Sequence, residues 1–213
     1  PFDHGGELKV NIDLSELNPT DVYFTLTQAV IPRPIAWVLS RNPGEDYNLA
    51  PFSYFNAVCS EPPLIILSLG RKPDGSAKDT QVNIEARRDF VVHIAHRQML
   101  DSLNSSSATL PAGESEVSRL GLELVDFPGS SLPRLADCRL ALACELYAKQ
   151  EIGHAGQSLL FGLVRRLYAD DSIAEQRANG RMKIHADRLA PLGRLGASEY
   201  MEFGKVISLS RPK

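Results

Sequence analysis

The chain has 213 residues, 43% hydrophobic and 23% charged, with a formal net charge of −3. These values suit a globular protein with a full core, and no apolar run approaches the roughly 18 residues of a membrane-spanning helix. The slight acidity gives no ground for a nucleic-acid partner, which needs a basic patch or stripe.

The length fits one domain, residues 1–213, with no internal repeat and no linker that would split it. The opening P-F-D-H-G-G-E-L has neither the basic nor the apolar region of a signal peptide. Cys59, Cys138 and Cys144 show no C-x-x-C spacing, and the last two sit in an apolar segment where buried free thiols are expected. A reducing, cytoplasmic protein without a disulfide framework is the expectation.

In chain order, residues 13–18 read as a turn or short helix, and residues 23–26 fit a strand or a helix edge equally well. Pro32 and Pro34 flank Arg33 and hold it in a stiff, non-helical segment, because proline fixes φ and extends the residue before it. Residues 35–40 have the β-branched and aromatic content of a strand. After a turn at residues 42–46, Asn48-Leu49-Ala50 begins a second strand that Pro51 interrupts. Residues 52–56 alternate aromatic and polar side chains. Glu61-Pro62-Pro63 then precedes an almost wholly apolar run, residues 64–69, expected as a strand buried on both faces. Beyond a polar loop with a Pro-Asp-Gly-Ser turn, Asp79 or Thr80 is a good N-cap for a helix over residues 80–88, with Val82 and Ile84 partly inward.

Residues 90–95, F-V-V-H-I-A, read as another strand. A helix over 96–105 places Met99, Leu100 and Leu103 at helical spacing, and a Ser-rich loop follows over 104–109. A short helix over 114–120 ends at Gly121, before a short strand at 122–125. Residues 140–151 alternate like a strand but have the Ala, Leu and Glu content of a helix. The strand is preferred, because residues 159–168 follow a Gly-rich turn and can pair with it as a hairpin. Residues 170–177 read as an exposed helical piece, and the tail carries R-L-G-A-S-E-Y, Arg194 to Tyr200, before a last candidate strand. The fold class is a mainly β barrel with a few helices.

The polar chemistry concentrates between residues 31 and 83. Lys78-Asp79-Thr80, ahead of a helix, offers a cation, a hydroxyl and helix N–H groups to a phosphate, with Asn83 one turn on and Arg33 as a second cation. A capped helix with a solvated lysine is the alternative for an isolated K-D-T. Ala50-Pro51-Phe52-Ser53-Tyr54-Phe55 offers close backbone approach, aromatic faces and a hydroxyl for a flat ring, although such clusters are commonly core. Trp37, the single tryptophan, reads as wall or core. The five histidines have poor spacing for a metal, and satisfied structural roles are preferred. No G-x-S-x-G, P-loop or G-x-G-x-x-G occurs, which favours chemistry carried by a cofactor.

Taken in order, P-R-P-I-A-W-V, N-L-A-P-F-S-Y-F-N-A-V, P-P-L-I, K-D-T-x-x-N-I, F-V-V and P-L-G-R-L-G-A-S-E-Y resemble the flavin reductase-like family, from about Val30 to Tyr200. The resemblance implies an FMN-binding split β-barrel of the flavoredoxin type, a homodimer with FMN near the subunit interface. It implies that Asn48, Ala50, Pro51, Phe52, Ser53, Tyr54 and Phe55 flank the ring, that Lys78, Asp79 and Thr80 take the phosphate with Asn83 one turn further on, and that Arg33, Trp37, Ser40, Arg194 and Tyr200 border the pocket. Departures are Leu39-Ser40 where Ser-Thr is common, His93 where Asn is frequent, and Ala197 in place of a second glycine. The implied activity is hydride transfer from NADH or NADPH to flavin, with electrons passed to a partner monooxygenase, a metal ion or another redox protein. An FMN-binding electron carrier without efficient nicotinamide turnover is the alternative; a barrel of this type that has lost its flavin is the third reading.

Overall fold

The computed structural model describes residues 10–111, 113–210 and 212. The first long element, α1 (Pro19–Ala29), starts where the Asn18 side chain accepts from the Asp21 N–H, with Pro19 in the first turn. There the missing proline donor costs no intrahelical bond. Residues 23–26 therefore lie inside a helix. Next come β1 (Arg33–Pro34), β2 (Ala36–Arg41), β3 (Tyr47–Phe52), β4 (Phe55–Ser60) and β5 (Pro63–Leu69). α2 (Asp79–Arg87), β6 (Asp89–His93), α3 (Leu100–Ser105), α4 (Glu116–Leu120), β7 (Leu124–Val125) and β8 (Arg134–Leu135) lead to the long hairpin of β9 (Leu140–Ile152) and β10 (Gln157–Ala169). The chain continues through β11 (Ala174–Gln176), β12 (Met182–Ile184), α5 (Ala186–Leu189), β13 (Gly193–Arg194) and β14 (Tyr200–Met201).

Seven strands make one antiparallel sheet in the order β3-β2-β6-β9-β10-β5-β4. Its two edge strands, β3 and β4, are consecutive in sequence and joined only by Ser53 and Tyr54, so the sheet must curl until its ends meet. At that corner Ser68 N–H donates to the Tyr54 carbonyl at 2.8 Å. The result is an incompletely closed barrel, the mainly β architecture expected. β2 packs on both sides: Trp37 and Leu39 join one core cluster with Val91, Leu103 and Leu135, while Ala36 and Val38 join a second with Phe90, Val92, Leu67 and Leu160. A strand with two cores reads as an unbroken apolar run, as this one does.

Several expectations change. Pro51 does not interrupt its strand, because β3 is an edge and its outer side needs no proline donor. The same outer side is occupied further back: Ser115 Oγ donates to the Tyr47 carbonyl at 2.6 Å, and Leu49 N–H donates to Glu116 Oε2 at 2.8 Å. The N-cap of α2 is Lys78, not Asp79 or Thr80, and Val82 is 51% exposed while Ile84 is fully buried. Residues 170–177 form a turn and then β11 instead of a helical piece, since β11 pairs with β12. Of the last candidate strand, only β14 forms among the described residues, paired with β13.

Candidate functional site

A groove runs along β3 and the β3–β4 link, and Pro51 and Phe52 line each of its three hollows. In the first hollow they meet Asn48, Ala50, Lys78, Asp79 and Thr80, faced by Ser106, Ser107, Ala108 and Thr109. The second adds Ser53, Ile35, Asn104, Arg194 and Tyr200. The third adds Ser53, Tyr54, Ser68, Arg71, Lys78 and Gln157. Sequence neighbours on β3 thus serve all three, while most of the facing residues come from strands, a helix and loops far away in sequence.

The start of α2 presents several donors together. Lys78 caps it without a side-chain hydrogen bond, which leaves first-turn N–H groups free of any side-chain acceptor. Thr80 is buried, and its Oγ1 accepts from Asn48 Nδ2 at 2.8 Å, so its own proton is free to donate. Lys72 Nζ lies 2.8 Å from Asp79 Oδ1 and offsets the one carboxylate in the first turn. The Lys78 ammonium sits 5.7 Å from the centroid of the Phe52 ring, with no ion-pair partner among the described residues. Burial, then the nearby Lys72 charge, push its pKa down. Glu116 lines the same hollow and is 7% exposed; burial outweighs its bond to Leu49 N–H and raises its pKa.

The other expected residues divide by burial. Arg33 is 7% exposed; its guanidinium donates to the carbonyls of Thr27, Val30 and Leu195 and, at 3.4 Å, to Ser53 Oγ. Four of its five N–H donors are engaged, so it works as a clamp joining the end of α1, the β3–β4 link and the tail. It lines a fourth hollow with Pro34, Tyr54 and Phe55. Trp37 is fully buried, with Nε1 donating to Ser106 Oγ at 2.8 Å, and so holds the facing loop from below. Ser40 and Asn83 are buried behind α2, where Asn83 Nδ2 donates to Asn42 Oδ1 at 2.9 Å and to Ser40 Oγ at 3.3 Å. Neither lines the groove. Arg194 stacks 4.4 Å over the Tyr200 ring, and Tyr200 OH donates to Asn104 Oδ1 at 3.1 Å, fixing the tail against the facing loop.

Sequence reasoning missed Ser106–Thr109 as a wall, along with Glu116, Arg71 and Gln157. The hydroxyl run after Asn104 was the one available signal; the others are brought in by folding alone. The donors present fit a flavin mononucleotide: uncapped N–H groups, a free hydroxyl proton and an unpaired lysine at one end, with aromatic and proline surface beside them.

A curled antiparallel sheet, incompletely closed between its two edge strands, defines the split β-barrel class. The Flavin reductase like domain matches residues 28–186, and the chain belongs to that family. Among solved structures, nitrilotriacetate monooxygenase component B from Bacillus cereus is 33% identical, with a TM-score of 0.87 covering 96% of this chain and 100% of that one. The 2-nitrobenzoate 2-nitroreductase of Pseudomonas fluorescens is 28% identical, with a TM-score of 0.85 and coverage of 95% and 96%. A protein with a split barrel domain from Shewanella frigidimarina, 18% identical at a TM-score of 0.79, covers 93% of this chain and 96% of its own, and shares the fold.

Proposed function

We propose that the chain is an FMN-binding oxidoreductase using NADH or NADPH as reductant. The observation that carries this reading is the uncapped start of α2, with the unpaired Lys78, at the end of an aromatic-lined groove. Bound FMN would supply the redox chemistry, as hydride acceptor for the nicotinamide and as electron donor to the onward acceptor. The chain's own residues bind and orient: the α2 N–H groups, Lys78 and Thr80 hold the phosphate, and residues 50–54 set the plane of the ring. Ser53, steadied by Arg33, offers a hydroxyl to its polar edge. No side chain in the groove is needed as a nucleophile, which agrees with catalysis by positioning.

The likeness to a monooxygenase component B supports a partner oxygenase as acceptor. The exposed apolar face of α1, with Tyr23, Phe24 and Leu26 each at least 39% exposed, continues into the hollow lined by Val30, Pro32 and Phe55 and supports a homodimer. Localisation in the cytoplasm agrees with three free cysteines. The test is the absorption spectrum of the purified protein with added FMN, followed by NADH and NADPH oxidation and sedimentation. Bound flavin with turnover is expected. Bound flavin without turnover supports the electron carrier instead, and a protein that fails to bind FMN overturns the proposal.

A further inference from the structure

The third hollow of the groove is not needed for the flavin phosphate, yet it is the most cationic part of the rim. Arg71 and Lys78 both line it, beside the faces of Phe52 and Tyr54. We propose that Arg71 anchors an anionic group, a carboxylate or a phosphate, on the flat molecule that exchanges electrons at this site. The inference rests on the flavin reading above and assigns a specificity-determining residue to it.

Arg71 makes one exposed ion pair, to Glu151, and among the described residues its guanidinium makes no hydrogen bond, so most of its donors stay free for a ligand. Its nearest carboxylate, Glu151, stands 3.6 Å away, beyond hydrogen-bond length. Ser158 Oγ at 2.6 Å and Lys149 Nζ at 2.9 Å both engage the other oxygen, Glu151 Oε1, so the contact with Arg71 rests on Oε2 alone. The guanidinium is nevertheless held in place. It lies against Gly156 at the turn of the β9–β10 hairpin, where a Cβ would come within 2.9 Å of its Nε. Gly156 has φ +66, so the backbone there both favours glycine and leaves the room that Arg71 uses. Beside it, Gln157 Nε2 donates to Ser68 Oγ at 2.9 Å, which leaves the Ser68 hydroxyl proton free to donate. A rigid fork of N–H donors next to aromatic surface suits a planar anion better than a neutral ligand. Lys78, between the first and third hollows, would be shared with the flavin phosphate; Arg71 would not.

The experiment titrates the 213-residue chain, saturated with FMN, with benzoate against benzamide and with adenosine 2′-phosphate against adenosine, by calorimetry. Wild type, Arg71→Ala and Arg71→Lys are compared. Because the Arg71 side chain is 38% exposed, its truncation is expected to leave the melting midpoint unchanged. At least one anion should bind at least about tenfold tighter than its neutral counterpart, a preference lost in Arg71→Ala and partly kept in Arg71→Lys. Which anion shows it identifies the source as a carboxylate substrate or a phosphorylated nucleotide. No Arg71-dependent preference for either anion overturns the proposal. A tenfold loss of FMN affinity in Arg71→Ala also overturns it, by assigning the residue to the flavin. If wild type takes up no FMN, the same titrations on the flavin-free chain still read the anion site, so failure of the flavin reading is separable.

Discussion

Single residues in the first hollow set opposing charges against each other. Lys78 and Thr80 offer a cation and a hydroxyl proton, so Lys78→Ala combined with Thr80→Ala is expected to weaken FMN binding at least about tenfold, read by flavin fluorescence titration. Unchanged affinity would move the phosphate elsewhere. Glu116 acts the other way, since an ionised carboxylate in the same hollow repels a phosphate. Its pKa is raised by burial, so acidification neutralises it earlier than an ordinary glutamate and relieves the repulsion. Glu116→Gln keeps an oxygen for Leu49 N–H while removing the charge. It should tighten FMN by about 1 kcal/mol, roughly fivefold, at neutral pH. The gap between variant and wild type should close as pH falls; comparing the two at each pH cancels the titration of the phosphate itself. The K-D-T and A-P-F-S-Y residues could be found in the sequence because each group is contiguous. Glu116 and Arg71 reach the groove from a separate helix and a separate loop, and nothing local marks them.

Elements were legible wherever one periodicity dominated. In the β9–β10 hairpin the apolar alternation ran from Leu140 through Leu142 and Cys144 to Leu146, and the turn with glycines at both ends decided for a strand against the helix-like composition. α1 was ambiguous because its aromatic residues point outward, so burial gave no helical stripe and only Asn18-Pro19 marked its start. α2 was found but rotated in expectation, because its N-cap is a lysine, outside the usual capping set. The long hairpin also depends on a small residue in its middle. A Cβ on Gly162 would come 2.5 Å from Phe90 Cζ and 3.2 Å from Ile65 Cγ1, both in the second core cluster. The pairing of β9 and β10 shifts register at this point, between Phe161 and Gly162. Gly162→Ala should therefore destabilise by about 1–3 kcal/mol, the usual cost of overpacking, seen as a lower urea midpoint with an unchanged slope. A midpoint equal to wild type would mean that Phe90 has room to move.

At the scale of the whole molecule, His93 ties three strands together. It lies fully buried on β6; its Nδ1 is 3.1 Å from the Trp37 carbonyl on β2, and Leu135 N–H on β8 donates to its Nε2 at 3.0 Å. These partners require a neutral ring with the proton on Nδ1, and a second proton on Nε2 would face an N–H donor. Burial in particular lowers its pKa from 6.5 to about 4. Between these values the unfolded chain binds a proton that the folded chain refuses, so stability falls as pH drops from about 6.5 to about 4. The loss attributable to this residue approaches about 3 kcal/mol. Urea unfolding of His93→Asn across that range should show a flatter pH dependence than wild type, even if the variant starts less stable. Parallel slopes would remove His93 from the account. The mainly β character was legible from strand-length apolar runs, whereas the incomplete closure, which depends on a two-residue link between sheet edges, became visible only in three dimensions.

The outer side of β3 has a consequence for how this molecule behaves in a crowded solution. An unpaired edge strand is a template on which a stray chain can add a strand and start aggregation. Here Ser115 occupies the Tyr47 carbonyl, Glu116 occupies the Leu49 N–H, and Pro51 has no N–H to give. At each of three alternate positions an incoming backbone loses one ladder bond, while Pro51 and Phe52 still line the groove. The barrel can stay open to a small planar guest without offering that guest's side as a free strand edge.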